Sequence, residues 1–269
     1  MIDLLLTGAK GKMGSLVAAS LAEQDDLRLV ALVDPTFVAG EAVTLPGNQH
    51  VPAFKTIAEA LAVTTPEVAV DFTTPTAVFA NATQLLSAGV HTVVGTTGLD
   101  DDHIDLLRSV AASNRANLLI APNFAIGALL MMRFAAEAAR RFGSAEIIEL
   151  HGAAKKDAPS GTALRTARLM GEARLDGSPS ATAGDAAPTG APEGSPAARG
   201  VEADGVRIHS VRLPGLVAHQ EVLFAAQGEV LTIRHDTLSR DAFLPGVLLA
   251  VRAAPTLGGT VVGLEHLLA

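Results

Sequence analysis

Short apolar runs alternate with helical patterns through the first half of the chain. The runs have the length and β-branched content of strands, and they predict strands over residues 2–7, 27–34, 67–72, 90–95 and 116–121. Apolar residues at helical spacing predict helices over residues 13–24, 76–87 and 101–112. Nearly all-apolar strands that alternate with helices are typical of a parallel sheet covered on both faces.

The pattern changes after Asn123. It predicts in turn a helix, a strand and a helix, over residues 124–142, 145–151 and 163–174. Three strand-like runs without intervening helices follow, over residues 206–213, 220–227 and 229–235. Their close succession suggests an antiparallel sheet. A last helical pattern covers residues 240–253.

One segment has the composition of a loop rather than of a regular element. Of the 25 residues from Asp176 to Gly200, 21 are Gly, Ser, Pro, Ala or Thr, which predicts a loop or a partly disordered insertion. The complete pattern predicts an α/β protein with two domains. Residues 1–125 and 236–269 would form a Rossmann-type dinucleotide-binding domain, and residues 126–235 a second α+β domain with an open mixed sheet.

Composition narrows the class of protein. The chain has 269 residues, of which 49% are hydrophobic and 18% charged, so a well-filled core is expected. The formal net charge is −8, without the basic footprint that nucleic acid or an anionic membrane would select. The first apolar run has no basic flank and is far shorter than the ~20 residues of a membrane span. We therefore expect neither a nucleic-acid nor a membrane partner.

Cysteine is absent, which excludes disulfides, thiolate metal sites and a cysteine nucleophile. This fits a cytoplasmic protein, and we expect no bound metal. Tryptophan and tyrosine are also absent, and the aromatic residues are nine phenylalanines. A platform of aromatic rings for stacking bases is therefore not expected.

A glycine loop follows the first predicted strand. The sequence GAKGKMG places Gly8, Gly11 and Gly14 between that strand and a helix. Glycines there let the chain approach a pyrophosphate, and a helix N-terminus offers free N–H groups. The spacing differs from the strict G-x-G-x-x-G fingerprint, and three glycines also occur in a plain tight turn.

The second predicted strand ends at Asp34, 26 residues after Gly8. The dinucleotide fingerprint places near this point an acid that accepts the ribose 2′-hydroxyl, although a strand-end turn residue is the alternative. Lys10 and Lys12 could instead contact a 2′-phosphate, or be solvated loop charges. Together these features favour a dinucleotide site, and we expect both NADH and NADPH to bind.

Two more turns follow predicted strands at the edge where open α/β sheets bind ligands. They are GTTG, at Gly95–Gly98, and APNFAIG, at Ala121–Gly127. Each is equally well explained as a βα turn chosen for its backbone conformation.

The stretch ELHGAAKKDAPSGTA, residues 149–163, concentrates titratable groups in an otherwise apolar chain. His151 can exchange a proton near neutral pH, and Lys155 can hold an anion or deliver a proton. Backbone N–H groups and hydroxyls at the start of the following helix could bind an anion, from Ser160, Gly161 and Thr162. Helix capping explains the Pro-Ser-Gly-Thr turn as well. The density of groups favours a site for a small carboxylate with a proton donor beside it.

Five motifs together resemble a known family. GAKGKMG, DFTTP, VVGTTG, APNFAIG and KKDAPSGTA occur in the same order as in the 4-hydroxy-tetrahydrodipicolinate reductases, also called dihydrodipicolinate reductases. The similarity covers nearly the whole chain except residues 37–66 and 176–200. DAPSGTA is highly specific to the family, whereas the glycine loop is not.

The resemblance implies an enzyme of the lysine and diaminopimelate pathway that reduces a small anionic substrate with NADH or NADPH. It implies that the second domain binds substrate and forms a homotetramer. His151 matches the catalytic acid/base and Lys155 the proton donor. The implied cofactor-binding residues are Gly8, Ala9, Lys10, Gly11, Lys12, Met13, Asp34, Phe72, Gly95, Thr96, Thr97, Ala121, Pro122, Asn123 and Phe124. The implied substrate-binding residues are Ser160, Gly161 and Thr162.

The chain departs from the family inside its signature. The family has two consecutive histidines, a variable residue, a third histidine and the lysine, and this chain has HGAAK. Gly152 and Ala154 thus replace imidazoles that would contact a dianionic substrate. Three interpretations stay open: a reductase with tolerated changes, a paralogue that reduces another cyclic imine or enamine in secondary metabolism, or a non-enzymatic dinucleotide-binding regulator. We favour the first, and expect a poor KM that a histidine at position 152 would improve.

Overall fold

The computed structural model describes residues 1–177 and 199–268. The chain divides into two compact units, Met1–Ala125 with Arg240–Ala269, and Ile126–Ser239. Most of the predicted loop over residues 176–200, namely residues 178–198, lies outside the described residues.

Thirteen strands and seven α-helices are seen in the described residues. The strands are β1 Ile2–Thr7, β2 Leu27–Val33, β3 Ala42–Leu45, β4 Gln49–Phe54, β5 Val68–Asp71, β6 His91–Val94, β7 Leu118–Ile120, β8 Ser144–His151, β9 Val201–Ala203, β10 Val206–Arg212, β11 Ala218–Ala226, β12 Glu229–Thr237 and β13 Thr260–Val262. The helices are α1 Lys12–Ala22, α2 Ile57–Leu61, α3 Val78–Ser87, α4 Asp101–Ser113, α5 Ile126–Ala139, α6 Gly161–Gly177 and α7 Leu244–Ala253.

The first unit is built on an eight-stranded sheet, in the order β13-β7-β6-β5-β1-β2-β4-β3. Its neighbouring strands are parallel, except that β3 and β4 form an antiparallel hairpin. The chain passes from β1 to β2 on one side, and β5 lies on the other side of β1. The carboxyl end of β1 is therefore a topological switch point, where open α/β sheets bind their ligands.

The sequence accounts for the central strands of this sheet. Leu4, Leu5 and Leu6 of β1 are fully buried, as are Val68, Ala69 and Val70 of β5. Such continuous apolar strands require cover on both faces of a sheet. The prediction of a Rossmann-like parallel sheet is confirmed.

The second unit contains a five-stranded mixed sheet, in the order β12-β11-β8-β10-β9. Strand β11 is antiparallel to both β8 and β12, but β10 runs parallel to β8. The predicted mixed sheet is confirmed, but the antiparallel arrangement suggested for the three successive runs is wrong for β10, which pairs with β8 instead of β11. Helix α6 connects β8 to the strands β9 and β10, and a crossover of this kind is what a parallel pair requires.

The core of the second unit is formed by small residues on its helices and larger ones on its sheet. Ala135 and Ala139 of α5 and Met170 of α6 are fully buried together with Ile147 of β8 and Phe224 of β11. Small helical residues let the helices approach the sheet closely, and the large sheet residues fill the space between them. This packing fixes β8, whose last residue is His151.

Several short elements were not predicted from the sequence, namely β3, β4, α2, β9 and β13. Strand β3 is only four residues long and at most half-buried along its whole length, so its apolar run is too short to mark a strand. The predicted helix over residues 240–253 begins as a 3₁₀ helix, Arg240–Phe243, and becomes α7 at Leu244. Among the helices of the described residues, none is long and apolar enough to cross a membrane.

Candidate active site

The glycine loop lies at the switch point of the first sheet. Gly8 has φ +73°, and a Cβ atom there would lie 2.2 Å from the carbonyl oxygen of Phe72. A Cβ at Gly14 would lie 2.0 Å from the carbonyl oxygen of Gly8, whereas one at Gly11 would lie 3.1 Å from that same oxygen. Gly8 and Gly14 are thus required by the packing of the loop itself. Gly11 is less constrained, because a shift of a few tenths of an ångström would relieve its contact.

Helix α1 begins directly after Gly11, which makes no side-chain capping bond. The first N–H groups of an α-helix have no partner within the helix, and they carry its positive dipole. A cleft of about 490 Å³ opens here, lined among others by Gly8, Gly11, Asp34 and Phe72. The loop, the helix terminus and the cleft fit the pyrophosphate of a dinucleotide.

Asp34 is buried at the end of β2. Its Oδ1 accepts bonds from the backbone N–H of Thr36 at 3.0 Å and from the Thr36 hydroxyl at 2.6 Å. Its Oδ2 accepts one from the backbone N–H of Lys10 at 3.2 Å. A carboxylate oxygen can accept two bonds, so Oδ2 can still accept a ribose hydroxyl.

The two predicted lysines differ in their surroundings. The Nζ of Lys10 lies 3.3 Å from Oε1 of Glu41, donates to the carbonyl of Thr36 at 3.3 Å, and lies 4.3 Å from the ring centre of Phe37. Lys12 is exposed in the first turn of α1. Lys10 is therefore held by the protein itself, which the sequence did not indicate.

A buried carboxylate joins the ends of three adjacent strands. Asp71, fully buried at the end of β5, accepts bonds on Oδ2 from the Thr7 hydroxyl at 2.8 Å and the Asn81 amide at 2.9 Å. On Oδ1 it accepts the Thr73 N–H at 3.1 Å, the Thr73 hydroxyl at 2.7 Å and the Thr96 hydroxyl at 2.6 Å. The hydroxyl of Thr96, predicted to contact the cofactor, thus has an internal partner.

The residues predicted for the nicotinamide side also meet in the first unit. The rings of Phe72 and Phe124 pack at 5.6 Å, and a Cβ at Gly95 would lie 2.2 Å from the Phe72 ring. Gly95 therefore lets that ring lie against the β6 turn. The other four predicted residues differ in exposure: Ala121 is buried, Asn123 half-buried and accepting from Ala125 N–H, and Thr97 and Pro122 exposed.

The predicted catalytic cluster lies in the second unit, around a glutamate that the sequence did not single out. Glu149, on β8, is fully buried. Arg212 of β10 binds it with two hydrogen bonds, Nη1 to Oε2 at 3.0 Å and Nη2 to Oε1 at 2.7 Å. Oε2 also accepts Nδ1 of His151, and Oε1 accepts the backbone N–H of Ser160 at 3.3 Å. Glu149 thus connects strands β8 and β10, the turn before α6 and the ring of His151.

The charges of this cluster follow from its contacts. Burial acts to raise the pKa of Glu149, but hydrogen bonds from Arg212 and His151 prevail and hold that pKa below its usual value. Burial lowers the pKa of His151, and the Lys155 and Arg212 cations act in the same direction against Glu149. Near neutral pH, Glu149 is therefore ionised and His151 neutral. Since Nδ1 donates its proton to Glu149, Nε2 is left as an acceptor.

The other predicted residues of this unit surround the start of α6. The Nζ of Lys155 lies 2.8 Å from Oδ2 of Asp157. The Ser160 hydroxyl accepts the N–H of Ala163 at 3.2 Å, so it caps α6. Gly161 is exposed, and a Cβ there would meet nothing within 4 Å. Gly161 and Thr162 form the open first turn of α6, which suits an anion.

Glu149 and Arg212 were not predicted from the sequence as residues of this cluster, for different reasons. Glu149 and His151 are two apart on a strand and therefore share one face, a signal that was available. Arg212 is placed opposite His151 by the register of the parallel β8–β10 pair, which no local pattern reveals.

Comparisons with known proteins match these observations. Residues 2–124 match the model of "Dihydrodipicolinate reductase, N-terminus", and residues 127–268 match "Dihydrodipicolinate reductase, C-terminus". The chain belongs to the dihydrodipicolinate reductase family. It is 49% identical over 266 residues to a 4-hydroxy-tetrahydrodipicolinate reductase of Nocardia farcinica, covering 97% of this chain and 96% of that protein. It is 47% identical over 262 residues to one of Mycolicibacterium vanbaalenii, with the same coverage.

A solved structure agrees with the family assignment. The dipicolinate-bound dihydrodipicolinate reductase of Paenisporosarcina sp. TG-14 is 38% identical, with a TM-score of 0.84 and coverage of 99% of each chain. As a dihydrodipicolinate reductase family member, the chain is an oxidoreductase that uses NADH or NADPH. The predictions of the family, the α/β fold, the enzyme class and the cofactor are confirmed.

Proposed function

We propose that this protein reduces 4-hydroxy-tetrahydrodipicolinate to tetrahydrodipicolinate, with NADH or NADPH, in lysine and diaminopimelate biosynthesis. The observation that carries the proposal is the cluster in which buried Glu149 holds His151 beside Lys155 and the open start of α6. Relatives of 45–49% identity that align with 97–99% of the chain bear the name of this activity.

Substrate binding is assigned to the second unit. A dicarboxylate would place one carboxylate at the N–H groups of Gly161 and Thr162, where the dipole of α6 favours negative charge. Lys155 would neutralise further negative charge. Ser160 contributes through its cap of α6, because its hydroxyl and its N–H both bind within the protein.

Nucleotide binding is assigned to the first unit. The N–H groups of Lys12 and Met13 would hold the pyrophosphate, with Gly8, Ala9 and Gly11 shaping the loop, because the N–H of Gly11 already donates to the carbonyl of Gly8. Asp34 would accept a ribose hydroxyl on Oδ2. The predicted residues on β5, β6 and β7 would form the nicotinamide side, with Phe72 and Phe124 as its apolar surface. When bound, the reduced nicotinamide supplies the hydride.

The conversion adds a hydride and a proton to the substrate and releases its 4-hydroxyl group as water, and the protein must provide the proton. Lys155 is the donor in this proposal, because an ammonium carries a transferable proton at neutral pH. His151 is neutral and presents Nε2 as an acceptor, so it would accept a hydrogen bond or a proton from the substrate. Glu149 fixes the tautomer and orientation of its ring. In this proposal Lys155 donates a proton, and His151 accepts a proton or a hydrogen bond.

We propose a homotetramer assembled through the second unit. On the sheet face opposite its helical core, Ile148, Leu150, Val211 and Leu223 are only half-buried. A partly apolar sheet face of this kind supports association between copies. Light scattering coupled to size exclusion tests the assembly state.

The test of the activity is oxidation of NADH and of NADPH with freshly generated 4-hydroxy-tetrahydrodipicolinate. Substrate-dependent oxidation supports the proposal, and oxidation that is lost in His151→Ala and Lys155→Ala ties it to this cluster. Nucleotide binding without any turnover of this substrate would contradict it.

A second candidate is favoured by Gly152 and Ala154, which stand where the family has imidazoles. The pocket would then be less basic, which suits a larger or less charged cyclic imine. Faster turnover of such an imine than of 4-hydroxy-tetrahydrodipicolinate would favour this candidate over the first.

A further inference from the structure

Glu41 is a carboxylate held in place beside the nucleotide loop. Its Oε2 accepts the backbone N–H of Val38 at 2.7 Å, and its Oε1 lies 3.3 Å from Nζ of Lys10. Its own N–H donates to the carbonyl of Val38, and its carbonyl accepts the N–H of Ala53 on β4. Backbone bonds on both sides of the side chain thus fix where its charge lies.

Lys10, the partner of this carboxylate, contacts the residue assigned to the ribose. The backbone N–H of Lys10 binds Asp34, and its Nζ reaches the carbonyl of Thr36 in the turn after β2. Asp34 is the residue suited to a ribose 2′-hydroxyl. The backbone of Lys10 thus contacts the residue suited to the ribose, and its ammonium reaches the turn that follows that residue.

NADH and NADPH carry different groups at the 2′ position of the ribose. NADPH brings a 2′-phosphate with about −1.5 to −2 charge, which needs cations that are free to pair with it. NADH brings a hydroxyl, which needs an acceptor. Lys10 is already paired, with 40% of its side chain and 31% of that of Glu41 exposed. Solvent weakens such a pair but does not remove its competition for the phosphate.

Resting on the assignment of the nucleotide to the first unit, we propose that Glu41 is a specificity residue: by pairing with Lys10 it lowers affinity for NADPH relative to NADH. Glu41 keeps the cation from the 2′-phosphate and adds a second negative charge beside Asp34. The hydrogen bond from Val38 N–H and the Lys10 ammonium both hold the pKa of Glu41 below its usual value, so this charge is present at neutral pH.

Calorimetric titration of the full-length protein with NADH and with NADPH tests the proposal without relying on turnover. Glu41→Gln keeps an oxygen for the N–H of Val38 while removing the charge. We expect it to tighten NADPH binding about tenfold, the scale of one charge-assisted contact, and to change NADH binding less than about threefold.

A double-mutant cycle shows whether Glu41 affects NADPH affinity through Lys10. Lys10→Gln alone should weaken NADPH binding modestly, because it leaves the negative charge of Glu41 uncompensated near the phosphate. In the Glu41→Gln background it should abolish the gain. Glu41→Ala is the substitute if Glu41→Gln folds poorly, since it also removes the charge; no gain in NADPH affinity in a folded variant without this charge would overturn the proposal.

A matched control lies near the amino end of β1, at the other end of that strand from the glycine loop. Asp3, on β1, forms two hydrogen bonds with Arg28 at 2.7 and 2.5 Å, and Asp3→Asn makes the same change in net charge. It should alter neither affinity.

An equal change for both nucleotides in Glu41→Gln, no change for either, or a gain that persists without Lys10 would overturn the proposal. Binding shifts of this kind are independent of the substrate, so failure of the reductase assignment would be seen separately, in the oxidation assay.

Discussion

The carbonyl oxygen of Leu216 lies 2.9 Å from the position that a Cβ atom would take at Gly152. A real Cβ does not approach an oxygen so closely, so any larger residue at position 152 must displace the Leu216 backbone. That backbone belongs to the turn between β10 and β11, and Leu213 of the same turn donates its N–H to the carbonyl of His151. Gly152 is therefore adapted to this turn, besides lacking an imidazole.

Of the two positions where the family has histidines, Ala154 should accept an imidazole more readily than Gly152. Ala154 is exposed, so Ala154→His should add a donor near the substrate without displacing the backbone. We expect it to lower KM for 4-hydroxy-tetrahydrodipicolinate, by up to about tenfold for each ~1.4 kcal/mol of binding regained. Gly152→His, which the sequence alone favoured, should give a smaller gain or none. Steady-state kinetics of both variants make the comparison.

Gly152→Ala is the control, because it introduces the Cβ without the imidazole. If Gly152→Ala raises KM, the backbone shift is responsible for the behaviour of Gly152→His. A lower KM in Gly152→His together with no effect of Ala154→His would contradict this prediction.

The sequence predicted well what depends on local pattern. Leu4–Leu6 identified a buried central strand, and the residue types of His151 and Lys155 predict a proton-transfer site, which stays a prediction. It did not reveal what depends on pairing between distant segments. Arg212 reaches Glu149 through the β8–β10 register. Glu41 lies just before β3, whose weak apolar pattern gave no element from which to place it.

Lys155 should be required for turnover and not for nucleotide binding. Lys155→Ala removes the proposed proton donor, and a general acid typically contributes about 10²–10⁴-fold to the rate. We expect kcat to fall by that factor while NADH affinity, measured by calorimetry, stays nearly constant. Lys156→Ala is the matched control, since Lys156 is an exposed neighbour. Equal effects of the two substitutions would mean that Lys155 acts only as a loop charge.

Glu149 should be important for stability as well as for activity. Glu149→Gln leaves the guanidinium of Arg212 with a neutral partner in a mostly buried site, where breaking an ion pair costs about 3 kcal/mol. The free energy of unfolding in urea should fall by that amount. Glu172→Gln, which breaks the exposed pair with Arg168 on α6, should cost less than about 0.5 kcal/mol. Similar losses in both variants would contradict the special position of Glu149.

The lowered pKa of His151 predicts a dependence of stability on pH. The fold favours the neutral ring, so the unfolded chain binds more protons between the pKa of His151 in the folded protein and its ordinary value of about 6.5. Stability is therefore complete above about pH 6.5 and falls as the pH drops from there through the folded-state pKa.

His151→Gln should weaken this dependence. Urea unfolding at about pH 7.5 and about pH 5 should show a smaller loss of stability in the variant than in the wild type. His235, whose pKa burial also lowers, is present in both proteins and contributes equally. An unchanged slope in His151→Gln would mean that the ring is not held neutral by the fold.

Two glycines of the loop should differ in what they are required for: Gly14 for stability and Gly11 for nucleotide binding. A Cβ at Gly14 would lie 2.0 Å from the carbonyl oxygen of Gly8, so Gly14→Ala should cost about 3 kcal/mol, the upper range for overpacking. A Cβ at Gly11 would lie 3.1 Å from that oxygen, which a small shift relieves. Gly11→Leu should therefore keep most of the melting temperature of the wild type. Because the leucine side chain would block the approach of a pyrophosphate to α1, the NADH affinity of Gly11→Leu should fall at least about a hundredfold. Tight NADH binding by Gly11→Leu, measured by calorimetry on protein shown to be folded, would place the pyrophosphate elsewhere than at this helix terminus.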